Sequence, residues 1–489
     1  MLIMDVNQLE KLMRNLVIKE TRTNSLDLLE SKLVDVDQEV YEVMLRSASL
    51  FQFLADASSD QFNIAARIIY DKALEFFPNG SMVIDQFIER CLTHPKNNVK
   101  QFGLRGAATM VDESVALALL NIQLLIQHCL PMKEVFVKTM MDLLVKTLPA
   151  VFTEPGVQEH LAKVLECNET IRCRVYEIVC TILEKRPDLL PAADPILKRA
   201  LADLEKDDVL LQTSVLPILT QLLVTEEGYA YVESVDLFRK VYTNFVAIEV
   251  NPYVRFVLPN ALKFYANAAS VQPALFLSRY PEALDFMFDK AATGDPMLMA
   301  VAYECLGIVG KINEGKIHLS ENQRHKMDAF LKELPNVLHT TTEAFKVRFI
   351  ECLTNLLSAE SEPVDNRISS ITQKWYETMT EREDLEMVQE LFKVPFPDIK
   401  MATLRLLSVI VDYRWGQMFF QNTACFGETL LNRALDVDVN VTQYKYDVIK
   451  KLSQSATLDS FASDALKQYV SEGAFYRKAN VEVVIEGGP

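Results

Sequence analysis

The sequence predicts an all-α protein built as a solenoid of helical repeats. Three observations carry this. The chain is 489 residues long, too long for one compact core. Only 14 residues are glycine while leucine, methionine and alanine abound, a mixture that favours helices because straight side chains lose little rotamer freedom there. One local pattern also recurs: a turn with Asn, Asp, Gly or Pro, a short polar step, then about 15 residues with apolar positions three and four apart.

The recurring unit begins weakly with SSDQFNIAARIIYDKALEFF at Ser58, then reads NNVKQFGLRGAATMV from Asn97 and NETIRCRVYEIVCTILEKRP from Asn168. It continues as DDVLLQTSVLPILTQLLVTEEG from Asp207, NPYVRFVLPNALKFYANAA from Asn251 and GDPMLMAVAYECLGIVGKI from Gly294. The last three are TEAFKVRFIECLTNLL from Thr342, FPDIKMATLRLLSVIVDYRWG from Phe396 and NVTQYKYDVIKKLSQSA from Asn440. The first apolar anchors are Ile64, Val99, Ile171, Val209, Val254, Leu298, Phe345, Ile399 and Val441. Their spacing matches armadillo and HEAT units of roughly 40–47 residues. The interval from Val99 to Ile171 is about two units wide, so a divergent unit is expected around Leu124 to Leu144. The expected architecture is an armadillo/HEAT-like helical-repeat solenoid, an alpha-alpha superhelix. Residues 1–480 form a single array of about ten irregular repeats, and 481–489 a frayed tail.

One unit shows the physics. Asn168 or Thr170 can cap the first turn, and Ile171, Val175, Ile178, Val179 and Ile182 make one apolar stripe. Lys185 and Arg186 suit the helix C-terminus, and Pro187 stops it. The segments FVKTMMDLLVKTL from Phe136, ADPILKRALADLEK from Ala193, YVESVDLFRKVYTNFVAI from Tyr231 and LSRYPEALDFMFDKAA from Leu277 are expected as partner helices. Most prolines, Pro335 among them, fall between these runs; Pro217 and Pro259 interrupt a long helix and should kink it. Ser358 to Asn366 reads as a loop.

The formal net charge is -17, which repels phosphate backbones, and no basic patch offsets it. Nucleic acid is therefore an unexpected partner and a basic protein surface a natural one. No run of 18 apolar residues occurs, so no membrane span is expected, and Met1 to Lys11 does not read as a secretory signal. Eight cysteines form no CxxC pair; Cys173 and Cys180, two helical turns apart, read as small buried hydrophobes in a reduced, intracellular protein. The nucleotide, serine-hydrolase, zincin and calcium-loop motifs are all missing, and His318, His325 and Glu321 read as a solvated polar face. No catalytic residue, metal or cofactor is expected.

The function then rests on binding. Phe264, Tyr265, Trp415, Phe419 and Phe420 read mainly as core, whereas Tyr176, Tyr265 and Tyr303 sit inside the second helices that line the concave face of such an architecture. An exposed aromatic there would anchor a partner. The candidate partner-binding residues are Tyr176, Arg255, Lys263, Tyr303, Arg348 and Glu351, all placed by helical position.

Several of these segments carry a resemblance: IRCRVYEIV at Ile171, DDVLLQTSVLPILTQLL at Asp207, NPYVRFVLPNALKFYANAA at Asn251, GDPMLMAVAYECLGIVGK at Gly294, PFPDIKMATLRLLSVI at Pro395 and YVSEGAFYRK at Tyr469. In order and spacing, from about residue 90 to 480, they resemble the family of proteasome non-ATPase regulatory subunit 5, the S5b assembly chaperones of the 26S proteasome. The resemblance implies a non-catalytic armadillo/HEAT-like chaperone. It would bind the C-terminal domain of the proteasomal ATPase regulatory subunit 7, in a module with regulatory subunit 4 and non-ATPase subunit 1. It would promote assembly of the 19S regulatory particle base and leave before the mature 26S proteasome forms, in the cytoplasm and also the nucleus. The rivals are another solenoid adaptor, such as a transport or phosphatase scaffold, and an enzyme with an unrecognised site. Importin-like receptors use repeated Trp and Asn pairs, and only Trp375 and Trp415 exist here.

Overall fold

Most helices of the repeat rows start at the turn that recurs in the sequence, and in several the turn residue caps the start. Asn168 accepts the backbone N–H of Ile171 at 3.1 Å, Asp208 that of Leu211 at 3.0 Å, and Asp295 those of Met297 and Leu298. These side chains satisfy N–H groups that the first helical turn leaves without a partner. The computed structural model describes residues 5–78, 80–111, 119–130, 137–247, 253–360, 364–434 and 438–476. Every regular element among them is helical. The expected tail at 481–489 lies outside the described residues.

By contact the chain divides into two compact units, Met1–Val232 and Glu233–Pro489. In the first, α1 (Ser59–Phe76), α2 (Asn97–Met110), α3 (Val137–Thr147), α4 (Glu169–Lys185) and α5 (Val209–Thr220) form a row, each packed on the next. A partner helix precedes three of them: Met82–Leu92 packs on α2, Pro155–Leu165 on α4 and Leu190–Leu204 on α5. This is a two-helix repeat. The segment from Phe136, expected as a partner helix, is α3 of the row itself, in contact with both α2 and α4. It supplies the divergent unit between Val99 and Ile171.

The second unit has its own row: α6 (Leu258–Val271), α7 (Pro296–Lys311), α8 (Glu343–Leu357), α9 (Pro397–Ile410) and α10 (Val439–Ser453), again each packed on the next. Here two helices separate successive row members. Pro273–Arg279 and Pro281–Ala291 precede α7, and Asn313–Glu321 and Arg324–Thr340 precede α8. Asn366–Thr380 and Glu386–Lys393 precede α9, and Arg414–Asn422 and Phe426–Leu431 precede α10. The first helices of these pairs pack in series, so the repeat has three helices.

The sharp turn out of a row helix is held by one device used twice. A Cβ on Gly315 would lie 2.0 Å from the Val309 carbonyl oxygen, and one on Gly416 2.0 Å from that of Ile410. Only glycine lets the new helix approach the end of the old one so closely. The next side chain then donates to the carbonyl six residues back: Lys316 Nζ to Gly310, and Gln417 Nε2 to Val411 at 2.9 Å. Lys316 is 0% exposed and also reaches the carbonyls of Lys311 and Asn355, joining the C-terminal ends of α7 and α8.

The apolar stripe Ile171, Val175, Ile178, Val179 and Ile182 is buried, as are Phe264, Trp415, Phe419 and Phe420. Cys180 is buried too, but Cys173 is half-buried and Cys167 exposed. Two proline expectations are corrected. Pro259 stands in the first turn of α6, where its missing N–H costs nothing, so it starts the helix instead of kinking it. Pro335 lies inside Arg324–Thr340. Pro217 lies inside α5, which tightens into a 3₁₀ turn at Gln221–Val224. The segment from Tyr231 is not one helix: Asp236 adopts a left-handed backbone (φ 56°) and a new helix starts at Leu237.

Candidate interaction surface

The row of the second unit places charged side chains side by side. Glu304 on α7 accepts from Arg348 Nη2 on α8 at 2.6 Å and faces Lys263 Nζ on α6 at 3.7 Å. Glu351 on α8 meets Arg405 Nη1 on α9 at 3.6 Å. Lys451 on α10 donates to the Ser408 carbonyl at 3.0 Å and pairs with Asp412. The result is a ladder of alternating sign that crosses five consecutive helices. Because its members are partly exposed, each pair adds only about 0–1 kcal/mol to stability. The ladder therefore does little to hold the fold, and it is the candidate interaction surface.

Of the six residues expected as contacts, Lys263, Arg348 and Glu351 fall on this ladder. Glu304 and Arg405, which link them, were not among the candidates; their signal was the complementary charge one repeat away. Arg255 is exposed but lies in a 3₁₀ turn, Val254–Phe256, ahead of α6, not in a long helix. Its guanidinium sits 4.9 Å from the Phe256 ring, beside exposed Tyr253.

The two tyrosines are corrected outright. Tyr176 is 0% exposed, and its hydroxyl donates to Asp203 Oδ2 at 2.9 Å. Asp203 is itself buried and accepts from Arg172 Nε at 2.7 Å and Lys206 Nζ at 2.6 Å. Burial by itself would raise the Asp203 pKa, but Lys206, Arg172 and Tyr176 together hold the carboxyl below its usual range. Burial, then the bond to Asp203, push the Tyr176 phenol up. Tyr303 is 1% exposed, with its ring 4.5 Å from Phe330 and 4.8 Å from Phe349. Tyr265 is buried and donates to the Phe238 carbonyl at 2.8 Å. Hydroxyls satisfied inside let Tyr176 and Tyr265 serve as core, and Tyr303 is buried by its ring packing, so none of the three presents a surface anchor.

Among the described residues no cluster of His, Cys, Asp and Glu could hold a metal ion. No described helix is long and apolar enough to cross a membrane. Glu321 pairs with Arg367, and burial lowers the pKa of half-buried His318.

A second feature stands at the edge of the row. Between the starts of α8 and α9 lies a cleft of about 450 Å³, lined by Glu343, Val347, Phe396, Asp398, Met401 and Arg405 among others.

Two rows of successively packed helices define an all-α helical-repeat solenoid. The solved structures agree on the fold. The karyopherin Kap121p bound to the SUMO protease Ulp1p matches 95% of this chain and 54% of its own, with a TM-score of 0.58 and 11% identity. Importin beta matches 96% of this chain and 64% of its own, with a TM-score of 0.52 and 12% identity. The family described as "Proteasome non-ATPase 26S subunit" matches residues 5–488, and the chain belongs to it. Its relatives include proteins named 26S proteasome non-ATPase regulatory subunit 5. The one from Bos taurus is 26% identical, covering 91% of both chains, and the one from Homo sapiens is 26% identical, covering 82% of both. The one from Drosophila melanogaster is 28% identical over 69% of this chain and 67% of its own.

Proposed function

We propose that the chain is a non-catalytic chaperone of the proteasome. It binds the C-terminal domain of the ATPase regulatory subunit 7, within a module that includes regulatory subunit 4 and non-ATPase subunit 1. It promotes assembly of the 19S base and departs before the mature 26S particle forms, acting in the cytoplasm and the nucleus. The observation that carries this reading is the family match along residues 5–488, with relatives named as regulatory subunit 5 over most of their length. The charge ladder supports it: alternating signs suit the mixed surface of a folded domain better than a uniformly basic peptide. Trp375 and Trp415 are buried, so they offer no tryptophan array of the importin-like kind.

The test is binding of the purified chain to the isolated C-terminal domains of the proteasomal ATPases. Tight binding to regulatory subunit 7 alone, weakened by Glu304→Lys, is the expected result. No binding to any of them would overturn the reading.

A further inference from the structure

Five row helices begin with a side chain that accepts an N–H of the first turn: Ser58 at α1, Asn168 at α4, Asp208 at α5, Asp295 at α7 and Asp438 at α10. At α9 that position holds Phe396, which makes no side-chain cap, as is also true of Lys96 at α2, Val257 at α6 and Thr342 at α8. Its backbone (φ -98°, ψ 122°), followed by Pro397, nearly repeats that of Asp295 (φ -84°, ψ 109°), followed by Pro296. An aspartate would therefore fit and cap. Phe396 is instead 40% exposed. Pro395 and Pro397 flank it, and a residue before proline is confined to extended backbone, so the chain carrying the ring is restricted. A large aromatic left exposed in the lining of a cleft is a side chain that a partner can bury.

The surroundings specify what it recognises. Phe396, Val347 and Met401 give the cleft an apolar floor. Glu343 and Asp398 line it with no side-chain partner among the described residues, while the charge of Arg405 is offset by Glu351 at 3.6 Å. The cleft thus carries two carboxylates, each at a helix N-terminus and without a side-chain ion pair among the described residues, beside an apolar anchor point. We propose that it docks a segment of a protein partner in which an apolar side chain is flanked by lysine or arginine. This holds whichever proteasomal subunit the ladder engages.

The probe is a short fluorescein-labelled amphipathic peptide of leucine and lysine, with a counterpart in which serine replaces leucine. Anisotropy titrations against the full chain should show the serine peptide binding at least about tenfold more weakly, the effect of losing one buried apolar anchor. Phe396→Asp should weaken the leucine peptide at least about tenfold although it adds negative charge, and should raise the thermal midpoint by restoring the cap. The double variant Glu343→Gln/Asp398→Asn should bind more weakly and with a flatter salt dependence. Two results would overturn the proposal: Phe396→Asp binding the peptide as tightly as the parent or tighter, or a parent that does not distinguish the two peptides.

Discussion

Tyr176→Phe separates a core role from a contact role at the residue where sequence and structure disagree most. The substitution removes one oxygen and keeps the ring, so it opens almost no cavity. What it deletes is a hydrogen bond of 2.9 Å to a carboxylate that is 0% exposed. Hydrogen bonds to charged groups contribute about 1.5–3 kcal/mol. Asp203 keeps Arg172 and Lys206, so the loss should fall in that range and not reach the roughly 3–5 kcal/mol expected when a buried pair loses one member, as in Asp203→Asn. For a unit of this size each kcal/mol shifts the midpoint by about 2–4 °C, so thermal unfolding should move down by about 3–12 °C. The sign with pH follows from the same network. A carboxyl held below its ordinary value stabilises the fold above that value and loses the contribution as pH falls through the folded pKa. With one donor gone the folded pKa rises toward the ordinary range, so the acid-dependent loss in Tyr176→Phe should be smaller than in the parent and complete at higher pH. Circular-dichroism melts across an acid series, paired with titration of an ATPase C-terminal domain, read both effects. Unchanged melting with lost binding would refute the core assignment and return Tyr176 to the surface.

Three further outcomes are expected. Glu304→Lys places a third cation between Lys263 and Arg348; it should change stability by no more than about 1 kcal/mol in thermal melts yet weaken partner binding at least about tenfold. Lys316→Met should reduce the rise of stability with pH. Burial pushes the folded pKa down to about 7, so the unfolded chain binds more protons above pH 7 and stability climbs toward the ordinary lysine value of about 10.4. The difference between parent and variant melts from about pH 7 to 8.5 isolates this, because the buried thiols, pushed up by burial, act with opposite sign only above their ordinary pKa of about 8.5; equal slopes would sink the idea. Gly416→Ala drives a Cβ to 2.0 Å from a backbone carbonyl oxygen and should cost about 1–3 kcal/mol or more in denaturant titrations.

What the sequence revealed, and what it hid, divides along physical lines. Helix starts are local: Asn168, Asp208 and Asp295 cap turns within three residues of themselves, so the repeat was readable from spacing alone. The anchors Ile171, Leu298 and Ile399 accordingly fall within the first turn of α4, α7 and α9. Facing is not local. Tyr176 points inward because Asp203, 27 residues away, offers a buried acceptor, and no period within α4 reports that. The role of α3 was misread for the same reason: its amphipathic pattern fits either layer, and only its contacts with α2 and α4 decide. Lys263, Arg348 and Glu351 were found by helical position, but the ladder they belong to depends on Glu304 and Arg405 in neighbouring repeats.

The same contrast explains why recognition can be separated from stability in this chain. Inside, tyrosine hydroxyls reach buried acceptors in neighbouring helices: Tyr70 donates to the Phe102 carbonyl at 2.6 Å and Tyr413 to that of Leu357 at 2.6 Å. Loss of such a bond leaves a buried polar atom unpaired and is strongly felt. Outside, the ladder is built from partly exposed pairs whose breakage water readily offsets. Substitutions at Glu304 or Arg348 should therefore cost the fold little. Phe396 extends the logic to one position: the helix there lacks the side-chain cap that α7 and α10 have, and an aromatic ring is presented to solvent in its place. If that reasoning holds, Phe396→Asp should be the rare substitution that stabilises the chain while removing part of what it recognises.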